Sequence, residues 1–171
     1  MATFANRIIR AAKLDVHLYE EVEADPRSLG QAMGVVVLSS VAAGLATAGQ
    51  TGLIGLFLGT IAALISWFVW AYITFFIGTK ILPEPQTRAN HGELLRTIGF
   101  ASAPGLIQVL GIVPMLGFIV MPVASIWMLI AMVIAVRQAL DYRGTGRAVG
   151  VCIIGWIFLI IIRAVILGLF R

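Results

Sequence analysis

Few residues in this chain are of types that do chemistry, and their spacing limits what they can do. Cys152 is the single cysteine and lies inside an apolar run, so neither an intrachain disulfide nor a cysteine metal site can form. The two histidines, His17 and His91, sit in polar segments, which leaves no imidazole in an apolar run to hold a haem or chlorophyll. There is no HExxH motif, no serine beside a histidine in an apolar run, and no pair of aspartates in one. The chain is therefore read as non-enzymatic, with no catalytic, cofactor-binding or metal residues and no cofactor. The acidic run Asp15, Glu20, Glu21, Glu23 and Asp25 offers carboxylates to a metal ion or a basic partner; the other reading is a solvated helix face. His91 and Glu93 are too few for a metal site and read as loop polarity.

Arg163 is the one charge well inside an apolar run. A cation at the bilayer centre costs at least about 2.5 kcal/mol on insertion scales. Every acid, from Asp15 to Asp141, falls on the other side of the bilayer in the topology argued below. Three partners remain: phosphates reached by snorkelling, backbone carbonyls freed near Pro114 or Pro122, or an acid or ligand outside this chain. Ser102, Gln108 and Ser125 are the other polar groups in apolar sequence. Together with Arg163, and with helices broken at Pro104 and Pro122, they would line a transport path; the alternative for the prolines is simple kinking.

These residues are held by long apolar segments. The chain has 171 residues, 60% hydrophobic and only 12% charged, against roughly 25% charged in a soluble domain. That deficit places it in the membrane class. The fold expected is all-α: a polytopic transmembrane helix bundle with spans at about 31–48, 53–77, 95–112, 118–136 and 148–170. Residues 1–25 form a cytoplasmic amphipathic and acidic segment, and residues 26–171 the five-helix membrane domain. Small residues in the first span, Gly34, Ser39, Ser40, Ala42, Ala43 and Gly44, place it inside the bundle. Ala46-Thr47-Ala48 resembles a signal-peptidase site, but the long stretch before its apolar run makes it an uncleaved span. Gly55 and Gly59 have the spacing of a close helix contact, or occur by chance in a glycine-rich span. Trp67 and Trp127 fall near mid-membrane and read as packing anchors; Trp70 and Tyr72 are candidates for an interfacial belt. Pro104 in the third span should kink it.

Ahead of the spans, Thr3 to Leu14 reads as an amphipathic helix lying in the membrane interface; the other reading is a frayed basic tail that only orients the first span. Phe4, Ile8 and Ile9 face lipid, and Arg7, Arg10 and Lys13 contact headgroups. Tyr19 and Val22 are spaced to touch a neighbouring helix. Asp25-Pro26 reads as the cap and first turn of the next helix. The basic residues fix orientation. Arg7, Arg10, Lys13 and Arg27 precede the first span, Lys80, Arg88 and Arg96 flank the loop after the second, and Arg137, Arg143 and Arg147 that after the fourth. All lie on one side, which is therefore cytoplasmic, with the carboxyl terminus opposite. A re-entrant pair at the third and fourth spans would give the same sidedness.

Several stretches carry a family resemblance: LDVHLYEEVEADP before the first span, GELLRTIGFASAPGLIQVLGIVPMLG across the third, VASIWMLIAMVIAVRQALD through the fourth, then GRAVGVCIIGWI. The chain resembles bacterial members of the Yip-domain family, named for eukaryotic Ypt/Rab-interacting proteins. The resemblance covers nearly the whole chain. It implies a five-helix membrane domain with a cytoplasmic amino terminus, in the inner membrane. Eukaryotic relatives act in vesicle traffic, contact Rab-type GTPases and form complexes with related membrane proteins. This chain lacks the long cytoplasmic amino-terminal region of many of them, and the resemblance transfers no catalytic residues.

Two functions follow as expectations. The first is a non-enzymatic scaffold: an accessory or assembly subunit of a membrane protein complex, or a membrane-organising protein. The alternative is a transporter or channel component. The expected partners are the lipid bilayer and a membrane protein or second copy of the chain, with no nucleic acid.

Overall fold

Local capping chemistry sets the helix starts. A computed structural model describes residues 3–113 and 115–169, with the side chains of 47–51 and 162–169 outside that description. Helix α1 (Phe4–Ala12) begins where the Thr3 hydroxyl accepts from the Asn6 N–H. Helix α2 (Val16–Ala24) begins where Asp15 accepts from the His17 N–H. Leu14 turns the chain between them at φ +61°, a left-handed conformation uncommon outside glycine. Asp25 then accepts from the Arg27 N–H, with Pro26 in the first turn of a short 3-10 segment, Pro26–Ser28. That is the cap expected from the Asp-Pro pair.

Helix α3 (Leu29–Phe76) contains one non-helical residue, Gly52, at φ 64° and ψ −173°. Glycine takes this conformation without a Cβ clash, so the chain reverses here into two antiparallel arms. The arms lie close: a Cβ on Gly44 would sit 2.4 Å from Leu56 Cδ1, and the Ser40 hydroxyl is 3.4 Å from that of Thr60. A π-helical turn, Ile77–Ile81, ends the second arm.

Helix α4 (His91–Phe100) opens with a full capping box between Asn90 and Glu93. It stops before Pro104, and the chain continues as a 3-10 segment, Ala103–Ile112, with the proline in its first turn. The expected kink is thus a change of helix type: without an N–H at Pro104 the α ladder ends, and the tighter winding carries on. Helix α5 (Gly117–Ala139) runs through Pro122, which lies in its second turn and is exposed. Helix α6 is Thr145–Leu169.

Among the described residues, four segments are long and apolar enough to cross a membrane: Pro26–Ala46, Gly52–Ile81, His91–Ile112 and Gly117–Ala139. A shorter apolar helix, Thr145–Ile161, follows among the described residues. The chain is thus an all-helical, multi-pass membrane protein. The third crossing starts at His91 rather than 95, and the second continues to Ile81 rather than 77.

The packed core lies toward one end of the bundle. Leu18, Tyr19 and Val22 of α2 are fully buried in one cluster with Val35, Leu94, Ile98, Val136 and Leu140. The described residues of this amino-terminal segment, 3–25, therefore share a core with the helices after them. In water, burying a side chain of this size stabilises by about 1.5–3 kcal/mol, so these three side chains hold α2 to the bundle. Toward the other end large apolar side chains point outward, with Phe118 88% exposed, as suits a surface solvated by lipid.

Candidate functional site

The charged end is built first, because it covers the packed core. The Arg7 guanidinium donates to Glu21 at 3.0 Å, to Gln31 at 2.9 Å and to Asp25 at 3.1 Å. Arg10 donates to Asp15 at 2.7 Å and to the second oxygen of Glu21 at 2.6 Å. Glu21 bridges the two arginines, and Arg10 first, then Arg7, holds its carboxyl below the usual carboxylate range. Asp15 is lowered by Arg10, and Asp25 by the Arg27 N–H and then by Arg7.

The structure gives this face protein partners. Arg7 is only 8% exposed, and the Arg7 and Arg10 guanidiniums, expected at headgroups with Lys13, are both taken up by the acidic run around α2. A carboxylate at hydrogen-bond distance in a partly dry setting outcompetes a screened lipid phosphate. Lys13 alone of the three is exposed. Phe4 and Ile8, expected to face lipid, both pack on the protein core, and of that face only Ile9 stays largely exposed, at 54%.

Arg96 was expected only as an orienting charge. It is 8% exposed, and its guanidinium donates to the carbonyl of Val22 at 2.9 Å and to that of Glu23. These are among the last carbonyls of α2, which have no partner within the helix. A cation from α4 thus caps α2 and favours the negative end of its dipole. Glu23 beside it is pushed up to about 7 by burial, with Asp141 and Glu93 adding repulsion. The loops complete the end: Glu84 pairs with Arg147 at 3.2 Å, Gln138 donates to Glu20 at 2.9 Å, and the Tyr142 hydroxyl lies 2.7 Å from the Leu82 carbonyl. His91 was also missed. It sits edge-on to the rings of Phe68, Tyr72 and Phe75, with both ring nitrogens buried and without a hydrogen bond.

Between the arms of α3, the α4 to 3-10 strand of chain and α5 lies a cleft of about 640 Å³ that is open on one side. Gly55, Gly59 and Ala63 form one wall at four-residue spacing, which puts them on one helix face. A Cβ on Gly59 would meet nothing within 4 Å. Trp67 and Trp70 are buried at one end. The Trp67 ring N–H donates to the Leu95 carbonyl at 3.1 Å, and that of Trp70 lies 3.2 Å from Met132 Sδ. So Trp70 is a packing residue, while Tyr72 is exposed. Met121, Met128 and Met132 line the cleft from α5, with Ser39, Ser40, Ser66, Ser102 and Gln108 as its polar groups. Thioethers on unbranched chains adapt to varied shapes. Close packing beside the cleft needs Gly105, where a Cβ would fall 2.1 Å from Ser39 Oγ; the Ser39 hydroxyl donates to the Ser102 carbonyl at 2.8 Å.

Among the described residues lining this cleft there is no Asp, Glu, His, Lys or Arg. Its chemistry is binding by shape, weak polar contacts and sulfur. The structure thus brings Gly55, Gly59 and Trp67 together at one site, with Pro104 buried in the segment beside it. Pro122 and the half-buried Trp127 do not line the cleft. The side chain of Arg163, within α6, lies outside the described residues.

In a comparison with known families, the family model described as Yip1 domain matches residues 17–166. No curated protein and no solved structure matches the chain.

Proposed function

The chain belongs to the Yip1 domain family, and from that premise we propose that it is a non-enzymatic integral membrane scaffold, an accessory or assembly subunit. Its partner is another membrane protein or a second copy of itself, and the cleft receives a transmembrane helix of that partner. One observation carries the reading: Gly55, Gly59 and Ala63 line an open cleft within a segment long and apolar enough to cross a membrane, and a Cβ on Gly59 would meet nothing within 4 Å. Small residues let helix backbones approach closely where no hydrophobic force drives association. The chain is read as a bacterial family member with five inner-membrane crossings, a cytoplasmic amino terminus and the carboxyl terminus opposite. The 25 residues of α6 support the fifth crossing, since at 1.5 Å each they span about 37 Å. The basic residues gathered at the packed end support the sidedness.

The test places a photo-crosslinking residue at Gly59, and at Phe118 as a lipid-facing control, in the full chain in its own membrane. The expected result is a defined protein adduct from position 59 and lipid adducts from 118. Lipid adducts alone from both positions would overturn the scaffold reading. A transporter or channel component is the second reading, favoured by Ser40, Ser66 and Gln108 in the same cleft. Purified protein that moves a solute into liposomes, with flux lost on Gln108→Leu, would establish it instead.

A further inference from the structure

A second groove, of about 460 Å³, runs between α5 and α6. Its walls differ from those of the first cleft. Leu129, Ile130, Val133 and Ile134 face Val149 and Ile153 across it. These are branched, bulky side chains, which hold a second helix backbone away where glycine and alanine would admit it. The groove extends along α6 from Thr145 to Trp156. Eleven steps of 1.5 Å make that about 16 Å, close to half of a hydrocarbon core about 30 Å thick. It has the depth of one leaflet.

The mouth of the groove is cationic. Thr145 lines the groove, and its hydroxyl lies 3.5 Å from Arg137 Nη1. The other Arg137 contacts are to neutral carbonyls, of Tyr142 at 3.4 Å and Arg143 at 3.5 Å. The Arg143 side chain is exposed beside it. Among the described residues no carboxylate lies within salt-bridge distance of either guanidinium. Of the other charged groups nearby, Glu84 pairs with Arg147 at 3.2 Å and accepts from the Arg143 backbone N–H at 3.1 Å, and Asp141 is exposed. The first turn of α6 carries no acidic residue. The Arg137 guanidinium, with only long, neutral contacts, thus stands at the mouth of an apolar slot one leaflet deep, with the exposed Arg143 in the adjoining loop.

We propose that this groove is a binding site for one anionic phospholipid. Its phosphate is held by Arg137 and Arg143, with the Thr145 hydroxyl within reach, and one acyl chain lies along Val133, Val149 and Ile153. Arg137 is preferred to a lysine here because its planar fork matches a phosphate in two places.

The test uses the full chain, delipidated in a neutral detergent and titrated with phosphatidylglycerol or phosphatidylcholine of identical chains, with bound lipid counted by native mass spectrometry. Phosphatidylglycerol should bind roughly 25-fold more tightly, the product of about fivefold for each of two cations near an anionic headgroup. The preference should shrink with added salt. Arg143→Gln, at an exposed position, should remove about fivefold, and Arg137→Gln with Arg143→Gln nearly all of it, with phosphatidylcholine binding unchanged. Val133→Trp should block both lipids. Equal binding of the two lipids would overturn the proposal. So would a preference that survives both arginine changes, or one that millimolar glycerol phosphate abolishes while chain binding at the groove is absent. A second copy of the chain covering the groove would also overturn it: the dimer would dissociate on Val133→Trp, with no lipid preference lost.

Discussion

Replacing Arg96 by Met tests how the amino-terminal helices are held. Methionine keeps the unbranched stem and removes the fork that donates to the Val22 and Glu23 carbonyls. A hydrogen bond to a charged group contributes roughly 1.5–3 kcal/mol, so two give about 3–6 kcal/mol. The lower figure is the better guide, since water can reach the half-exposed end of α2 once it loosens. At 1.4 kcal/mol per decade, a loss of about 3 kcal/mol raises local opening on the order of 100-fold. The assay is amide hydrogen exchange of residues 16–24 in the full chain, in detergent or nanodiscs, under conditions where exchange reports the opening equilibrium. Residues 124–136 of α5 serve as the internal reference and should not change. Arg96→Lys should recover less than half of the lost free energy, because a point charge cannot fork to two carbonyls. Exchange of α2 within about fivefold of the parent, with Arg7→Gln loosening it more, would refute the cap and leave the acidic pairs as the sole tether.

Further outcomes follow from the same geometry. Glu23 is raised from 4.5 to about 7, so the folded state takes up a proton that the unfolded chain does not. Its contribution is present below the unfolded value and is lost as pH rises through 7; Glu23→Gln should protect α2 from exchange at pH 8 and change little at pH 4.5. Glu21 and Asp15 are depressed, so their contribution runs the other way and fades in acid below the usual carboxylate range. Gly99→Ala should destabilise by about 1–3 kcal/mol, because its Cβ would lie 2.7 Å from Ala32 Cβ and 3.1 Å from the Ala32 backbone; Gly59→Ala, which meets nothing, should be neutral in thermal stability. Arg7→Gln should make the chain cleavable by trypsin after Arg10 and Lys13, whereas Lys13→Gln should leave protease resistance alone and weaken adsorption to anionic vesicles.

The membrane class, the helical segments and the Asp25-Pro26 start are written in local sequence, since hydropathy and capping depend on near neighbours. What covers a face is not local. The two-sided pattern of α1 suits a lipid surface and a protein partner equally, and the acidic run that takes Arg7 and Arg10 reads by itself as a solvated face. Proline at 104 says that an α ladder fails there, not whether the helix bends or tightens. Arg96 looked like an orienting charge because its acceptors are backbone carbonyls, which every residue carries and no pattern marks. His91 sat in a stretch of loop residues, and its ring neighbours, Phe68, Tyr72 and Phe75, come from a different helix that no local pattern pairs with it. The Gly55 and Gly59 spacing was visible, but only the packing shows that nothing among the described residues fills the space beside Gly59.

The cap on α2 also sets a timetable. Arg96 stands 74 residues after Val22, and at a synthesis rate of about 5–20 residues per second it is made roughly 4–15 s later. The pairs between α1 and α2 close within 18 residues, so they are available almost as soon as the segment emerges. For those seconds the nascent amino terminus is a neutralised helical pair with an open carboxyl end and three bulky side chains not yet buried. A ribosome-bound chain halted with residue 90 outside the tunnel should lose α2 to protease, and one halted with residue 110 outside should keep it.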